Sequence, residues 1–571
     1  MELHKYFRLK EMDIDRAYFD TINLFRESSH RDNHVTIISN LYLILLIREL
    51  GTREVVNDYI ETKIVDETLK NHLKECVKNK DLEHIKKATD KYSDDIIKAM
   101  ILFPKPIRFS DVDYLTPVGV SQLAIELLDI HADDIVMDLG SGINEFLIQT
   151  SILKNTKELY GIELNIDNYI IGRIRGLILG IDIHIKTGNI LSQNFGKIKA
   201  NKVFSNPPIG QRWKDIKEYI KNNEEVNKYF KETKRTISGE WAFALSALKN
   251  TEKLGKTIVL MSNAGTWNKS DEVIRKRLIE EGKIEGVILL PERLFTATNI
   301  SLTMIIFSED NSNVRMVDAS QIFTEGRSVN TLEDKNIKEI IKAYTEERDI
   351  SKIVPIKDIA EHEYILNPFR YLEGDIDIKN GISLGDISKS INRGSMIRRN
   401  ELDNLATTEE TQYQYLMLSN INEGVIDKDL PYLTKIDERD EKYCIQNNNL
   451  IISKISPFKI ASANVIEDKK ILATGNLYMI DIDETKANPI YVELFLQSEL
   501  GISQLNRYSK GVTMKSINIQ DLKKIQIPNI PLKQQNKIAE EAKLLTEQLE
   551  ILEKQIEMVK DKRDKLIQEV V

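Results

Sequence analysis

The chain is short of cysteine, of long apolar runs and of positive charge, and each shortage removes a class of function. Its two cysteines, Cys76 and Cys444, lie far apart in 571 residues, which argues against a disulfide framework and offers no cysteine spacing for a metal. The opening MELHKYFRLKEMD has no apolar stretch of the kind a secretory signal needs. The most apolar early run, residues 41–47, is too short to span a bilayer and is bounded by Arg48 and Glu49. It reads as a core helix, and a cytoplasmic chain with no membrane partner is the expectation. Aspartate and glutamate outnumber lysine and arginine, 89 to 80, for a net charge of -9. Any affinity for nucleic acid must then come from local basic patches. Gly255-Lys256-Thr257 resembles the end of a phosphate-binding loop, but the position five residues earlier is Asn250 and not glycine. No helicase loop and no acidic-acidic-lysine cluster on a separate domain is found, so cleavage would belong to another polypeptide.

What is present begins with length for several domains and an apolar fraction of 41%, enough for ordinary packed cores. Residues 1–105 repeat apolar positions at three- and four-residue intervals, as in Leu43, Leu46, Ile47 and Leu50, the mark of helices. His72 and His84 in this region read as solvated or packed, not as ligands. ILFPKPIRFSD, at 101–111, breaks the pattern with two prolines. From there to about 310, strands alternate with helices as a parallel doubly wound sheet requires.

Two loops of that sheet carry chemistry. SNPPIG, at 205–210, follows the β-prone NKVF at 201–204, which puts Asn206, Pro207, Pro208 and Ile209 at the carboxyl end of a strand, where open α/β sheets hold ligands. The prolines have fixed φ and no N–H, so they form a rigid rim of acceptors. The side-chain carbonyl of Asn206 and the main-chain carbonyl of Pro207 can grip both hydrogens of one planar amino group. An exocyclic amine held so loses conjugation with its ring, and its lone pair becomes a nucleophile. Alone, NPP is only a turn. DLGSG, at 138–142, supplies support: a buried strand leads into Asp138, and Gly140 and Gly142 around Ser141 permit a tight turn. Glu163 closes a second strand about twenty residues on, the spacing at which an acid meets a ribose hydroxyl pair. Gly188-Asn189-Ile190 follows a third.

The order DLGSG, GIEL, GNIL, SNPP resembles the S-adenosylmethionine-dependent amino methyltransferases of DNA, and more closely the modification subunit of type I restriction-modification systems. The closer match rests on TIVLMSNAGTW at 257–267 and the segment at 274–307, with YLTP at 114–117 similar to the family's N-terminal cofactor motif. The resemblance implies S-adenosyl-L-methionine held by Tyr114, Thr116, Pro117, Asp138, Gly140, Ser141, Gly142, Glu163 and Asn189. It implies methyl transfer to adenine N6 at Asn206, Pro207, Pro208 and Ile209, with no metal. Two departures stand out. Ile209 occupies the place of an aromatic ring that stacks on the extruded base, with Trp213, Trp241 or Phe243 as substitute rings. Asn189 replaces a common aspartate, though an amide can still pair with an adenine edge. A catalytically weak or inactive DNA-binding regulator is the alternative. The charged insertion at 217–236 reads as a solvated helix or as a lid that orders on DNA, and PERLF at 291–295 resembles a family segment near the base pocket.

After NPFRYL, at 367–372, the character changes. ISLGDISKSINRGSM at 382–396 and the segments that follow to the C-terminus look like one target recognition domain of a type I specificity subunit. Arg507, Lys510 and Lys515 around Gly511 make a basic loop suited to phosphates. The last helix places Ile538, Ala542, Leu545, Leu549, Leu552, Ile556, Val559, Arg563, Leu566 and Val570 at alternating intervals of four and three, a two-stranded coiled-coil seam broken by Arg563. Specificity subunits carry two recognition domains and this chain one, so the resemblance implies a homodimer reading double-stranded DNA, with a separate restriction endonuclease subunit as an optional partner. The expected multidomain organisation is an α-helical N-terminal domain (1–105), a Rossmann-like α/β methyltransferase domain (106–310) and a helical, charged connector (311–375). An α/β target recognition domain (376–532) and a dimerisation helix (533–571) complete it.

Overall fold

The computed structural model describes residues 11–26, 34–78, 81–104, 115–192, 196–221, 224–231, 238–296, 298–372, 378, 380–422, 424–463, 465, 468–510 and 515–568. They fall into two compact units, Met1–Leu372 and Glu373–Val571.

The first unit is built on strands β1 (Ile135–Leu139), β2 (Glu158–Glu163), β3 (His184–Thr187), β4 (Ala200–Ser205), β5 (Thr251–Ser262), β6 (Ile284–Leu289), β7 (Leu302–Phe307), β8 (Asn313–Asp318) and β9 (Ser351–Pro355). They form one sheet in the order β3-β2-β1-β4-β5-β7-β6-β8-β9. β1 to β5 run parallel. Because β1 pairs with both β2 and β4, the order reverses between β1 and β4, which makes that crevice the switch point at which such sheets bind ligands. Neighbouring residues on these strands point to opposite faces and feed two cores. Met137, Val203 and Val259 pack against Trp241 and Ala244 of the helix Glu240–Asn250. Val136, Phe204 and Ile258 pack against Leu123 of the helix Val118–Leu128 and Phe146 of the helix Glu145–Lys154, where the Phe146 and Phe204 rings stack at 4.4 Å. Each such burial is worth about 1.5–3 kcal/mol, so the strand ends that carry the loops are held from both sides.

Three expectations need correction. The sheet is mixed and not parallel: β7 runs antiparallel to both β5 and β6, and β9 antiparallel to β8. The stretch 311–375 is not merely a connector, since β8 and β9 extend the sheet. The charge of β9 reflects its place at the edge, where it buries only two of five residues. The N-terminal helices do not close a core of their own by residue 105. Ile38, Leu41 and Leu73 share one apolar cluster with Tyr169, Ile170 and Ile174 of the helix Ile166–Leu179. His72 is packed in that region with Ser39 Oγ at 3.0 Å, and burial pushes its imidazole below the usual value; the His84 side chain lies outside the described residues. Among the described residues no single helix is long and apolar enough to cross a membrane.

The second unit contains two four-stranded sheets and two two-stranded ones. One joins Ser388–Arg393, Leu477–Ile482, Leu450–Ser453 and Ile460–Ser462, all antiparallel. Its inner face carries Leu450, Ile452, Tyr478 and Ile480 against Tyr491, Val492 and Leu496 of the helix Pro489–Gln497. The helix Leu532–Gln568 runs 37 residues, roughly 55 Å at 1.5 Å per residue. Its first turns dock on the unit: Asn488 N–H donates to Gln535 Oε1 at 2.9 Å and Ala539 is buried. Beyond them Leu545, Leu549, Leu552, Ile556 and Val559 are all more than half exposed.

Candidate functional site

Four loops meet at the carboxyl ends of β3, β2, β1 and β4. β1 delivers Asp138 into a turn in which Gly140 has φ +85° and Gly142 φ +53°, a backbone glycine adopts without strain. Gly140 and Ser141 both donate backbone N–H groups to Ile162 O, at 2.9 and 3.0 Å, so the turn is tied to β2. Gly161 on β2 lets Ser141 sit close, since a Cβ there would lie 3.0 Å from its hydroxyl. Arg175, buried on the helix Ile166–Leu179, braces the turn from behind. It donates to Ile143 O at 2.6 Å, to Glu145 Oε2 at 2.6 Å and to Leu102 O at 2.8 Å.

The acids of this crevice are tense. Asp138 is buried, and burial together with the nearby Glu163 charge holds its carboxyl well above the usual carboxylate range. Its Oδ1 has no hydrogen-bond partner among the described residues, and neither has the buried Ser141 Oγ. Glu163 accepts from Gly142 N–H and from Asn165 N–H, each at 2.7 Å, and burial still pushes its carboxyl up. Each carboxylate oxygen has a second lone pair, so these bonds orient Glu163 without exhausting it. A ligand carrying a cation and a hydroxyl pair fits this donor set. Asn189 turns its amide oxygen inward to accept from Leu191 N–H at 2.9 Å, which leaves the NH2 group as what it can offer a ring nitrogen. Leu164, directly after Glu163, is 67% exposed. Sequence reasoning passed over it, although it directly follows the acidic end of β2 at this crevice.

Across the switch point, Ser205 Oγ donates to Leu139 O at 2.6 Å and ties the end of β4 to β1. Asn206 and Pro207 are buried and Pro208 half-buried. Asn206 Nδ2 donates to Thr116 Oγ1 at 3.0 Å. This bond directs the amide's acceptor oxygen to the other side, and it joins two motifs 90 residues apart. Thr116 thus touches Asn206, a contact that no spacing in the sequence marks, and Pro117 follows as the cap of the helix Val118–Leu128. Tyr114 lies outside the described residues. The loop leaves through Gly210, at φ +74°, whose N–H donates to Glu240 at 3.4 Å, while Ser262 Oγ donates to the same carboxylate at 2.8 Å.

Of the substitute rings, Trp241 and Phe243 do not face the crevice: both lie in the core beneath the sheet, and Trp241 Nε1 donates to Gly265 O. The Trp213 side chain lies outside the described residues. Ile209 is half-buried against the opposite core. The described part of the insertion is two short helices, Trp213–Lys221 and Glu224–Lys231, that bury Ile216, Ile220 and Val226, so it is not simply a solvated helix. In the PERLF segment Arg293 serves its own unit, donating to the carbonyls of Gly326, Arg327 and Ser328. Gly255-Lys256-Thr257 lies within β5. In the second unit Lys510 pairs with Asp521 at 3.1 Å, so it is less open than its sequence implied. Arg507 lies in the last turn of the helix Glu499–Tyr508, Lys515 follows it, and Gly511 lies outside the described residues.

A glycine turn, an acidic strand end and a proline-stiffened rim at one switch point define a Rossmann-like domain with its ligand crevice at that point. Residues 109–378 match the family described as N-6 DNA Methylase, and residues 379–561 match the Type I restriction modification DNA specificity domain. The chain thus joins a region similar to the methylase family to a region similar to the specificity domain. It is similar to the type I restriction enzyme MjaVIII methylase subunit of Methanocaldococcus jannaschii, with 28% identity over 50% of this chain and 54% of that one. It is similar also to the MpnII methylase subunit of Mycoplasma pneumoniae, with 24% identity over 52% and 59%. The chain thus spans little more than half the length of these relatives. Among solved structures, the type I restriction-modification methyltransferase subunit from Streptococcus thermophilus is similar at 20% identity and a TM-score of 0.48, covering 61% of this chain and 82% of that one.

Proposed function

We propose that this protein is a sequence-specific DNA adenine-N6 methyltransferase that uses S-adenosylmethionine and acts as a homodimer on double-stranded DNA. The observation that carries the reading is the Asn206-Pro207 rim, fixed by Thr116 and facing a glycine turn with an orphaned carboxylate across one switch point. S-adenosylmethionine, when bound, supplies a methyl group on a sulfonium leaving group. The residues of the chain do the rest. Glu163 would accept from the ribose hydroxyls, Asp138 and Ser141 would meet the cationic and polar parts of the donor, and Asn189 would offer its NH2 group to the adenine edge. Asn206 Oδ1 and the Pro207 carbonyl accept hydrogen bonds from the two N–H groups of the target amine and turn its lone pair outward, and the nitrogen sheds one of those protons to water as it takes the methyl group. An adenine inside a duplex cannot reach this rim, so the target must be rotated out of the stack. Positioning and fixed dipoles then supply the acceleration. Adenine is favoured over cytosine by the family match, since either amine fits the rim.

The second unit reads the sequence, and the exposed seam from Leu545 to Val559 supports pairing with a second copy. Five apolar side chains in heptad register, each more than half exposed, need a partner helix. A two-fold dimer with one recognition domain per chain implies a palindromic site, interrupted at its centre. A nuclease subunit would be a further partner. Sequencing native DNA from cells with and without the gene tests the whole reading: N6-methyladenine at one two-fold symmetric motif, present only with the gene, is expected, and identical patterns would refute it.

A further inference from the structure

In the second unit the strand Ser388–Arg393 pairs with Leu477–Ile482, which pairs in turn with Leu450–Ser453, and the register aligns Arg393, Tyr478 and Ile452. Arg393 and Lys454 therefore leave the same end of the sheet, on either side of the turn at 474–476. Arg393 Nε donates to Gly475 O at 2.7 Å, and Lys454 N–H donates to Asn476 O at 2.7 Å. Gly394 lets the chain close on that turn, because a Cβ would lie 2.3 Å from Thr474 O. Both cations are half-buried. Burial and the charge of Arg393 push the Lys454 ammonium below its usual value. Among the described residues neither the Arg393 Nη atoms nor Lys454 Nζ has an acceptor or an acidic partner, whereas Lys510 nearby has Asp521. The backbone joins the pair to that basic loop, since Ile517 N–H donates to Lys454 O and Ser456 N–H to Lys515 O. Two like charges held together, partly desolvated and without a counter-ion, destabilise the unit that holds them. An anion resolves the conflict, and the planar Nη pair of an arginine suits the oxygens of a phosphate.

We propose that Arg393 and Lys454 jointly clamp one phosphodiester group of the DNA backbone at the 474–476 turn. This rests on the reading of the second unit as DNA-binding and adds a contact that fixes register and not base identity. The test is fluorescence-anisotropy titration of the full chain with a labelled duplex carrying its methylation site, across a range of salt. Arg393→Gln and Lys454→Gln are each expected to weaken binding about tenfold and to lower the slope of log affinity against log salt by about one. The loss should be equal on cognate and unrelated duplexes, and the double variant should lose less than the sum because both act on one phosphate. Lys454→Gln in the free protein should melt no lower than the parent at low salt, which a merely structural lysine would not do. An unchanged slope, or a change of preferred sequence at constant slope, would overturn the clamp. No DNA binding by the parent chain would instead remove the DNA reading and the clamp with it.

Discussion

Asp138 sits inside β1 with one oxygen unpartnered and Glu163 close by, a place in which burial and that neighbouring charge make the ionised carboxyl costly. Its folded pKa is raised, so the folded chain binds a proton more readily than the unfolded one, and stability falls as pH rises through the interval above the usual carboxylate value. Asp138→Asn should therefore be at least as stable as the parent at pH 7, with the difference closing as pH drops and the parent protonates. The same variant should lose cofactor affinity by a factor of ten or more, on the order of one charge-assisted bond. Paired thermal melts and calorimetric titrations check both, and a variant that is less stable yet binds normally would contradict the assignment. Residue types at this crevice were legible because each motif is local: glycine where φ is positive, prolines where acceptors must be fixed. The bonds between motifs were not, since no spacing in the sequence shows that Thr116 reaches Asn206 or that Glu240 reaches Gly210.

At the scale of elements, the turn at 140–142 is only as rigid as the helices behind it. Arg175 gathers Leu102, Ile143 and Glu145 into one buried network. Removing it leaves Glu145 buried without its cation, a loss of about 3–5 kcal/mol for pairs of this kind. Arg175→Met should bring forward the calorimetric transition of the first unit and leave that of residues 373–571 where it was; coincident transitions in both proteins would show the network to be inconsequential. Arginine inside an apolar helix pattern reads as a surface residue from sequence, and only the packed structure reveals it as a brace. Edge strands were obscured in a similar way. β9, at the sheet edge, buries only two of its five residues, so its charge reads as linker, whereas β1, buried at four of its five positions, stands out as an apolar run. The antiparallel course of β7 has no local mark, because a strand buried throughout looks alike in either direction.

For the whole molecule, the proposed pairing of two copies rests on the exposed seam of the helix Leu532–Gln568. Leu549→Glu with Leu552→Glu places like charges at the centre of the proposed pairing, so the variant should be a monomer by light scattering where the parent is a dimer. Under that proposal, methylation of DNA should fall with dimerisation while cofactor binding stays. A parent that is monomeric at micromolar concentration would remove the two-fold reading and with it the expected palindrome, but not the chemistry of the crevice.

That chemistry is tested most directly by following methyl groups. Purified protein, tritium-labelled S-adenosylmethionine and DNA bearing its site should yield labelled N6-methyladenine. Asn206→Ala should lower that yield by at least a hundredfold, about 2.7 kcal/mol in the barrier, while binding the cofactor as the parent does. Undiminished transfer by Asn206→Ala, or label recovered on a base other than adenine, would contradict the account.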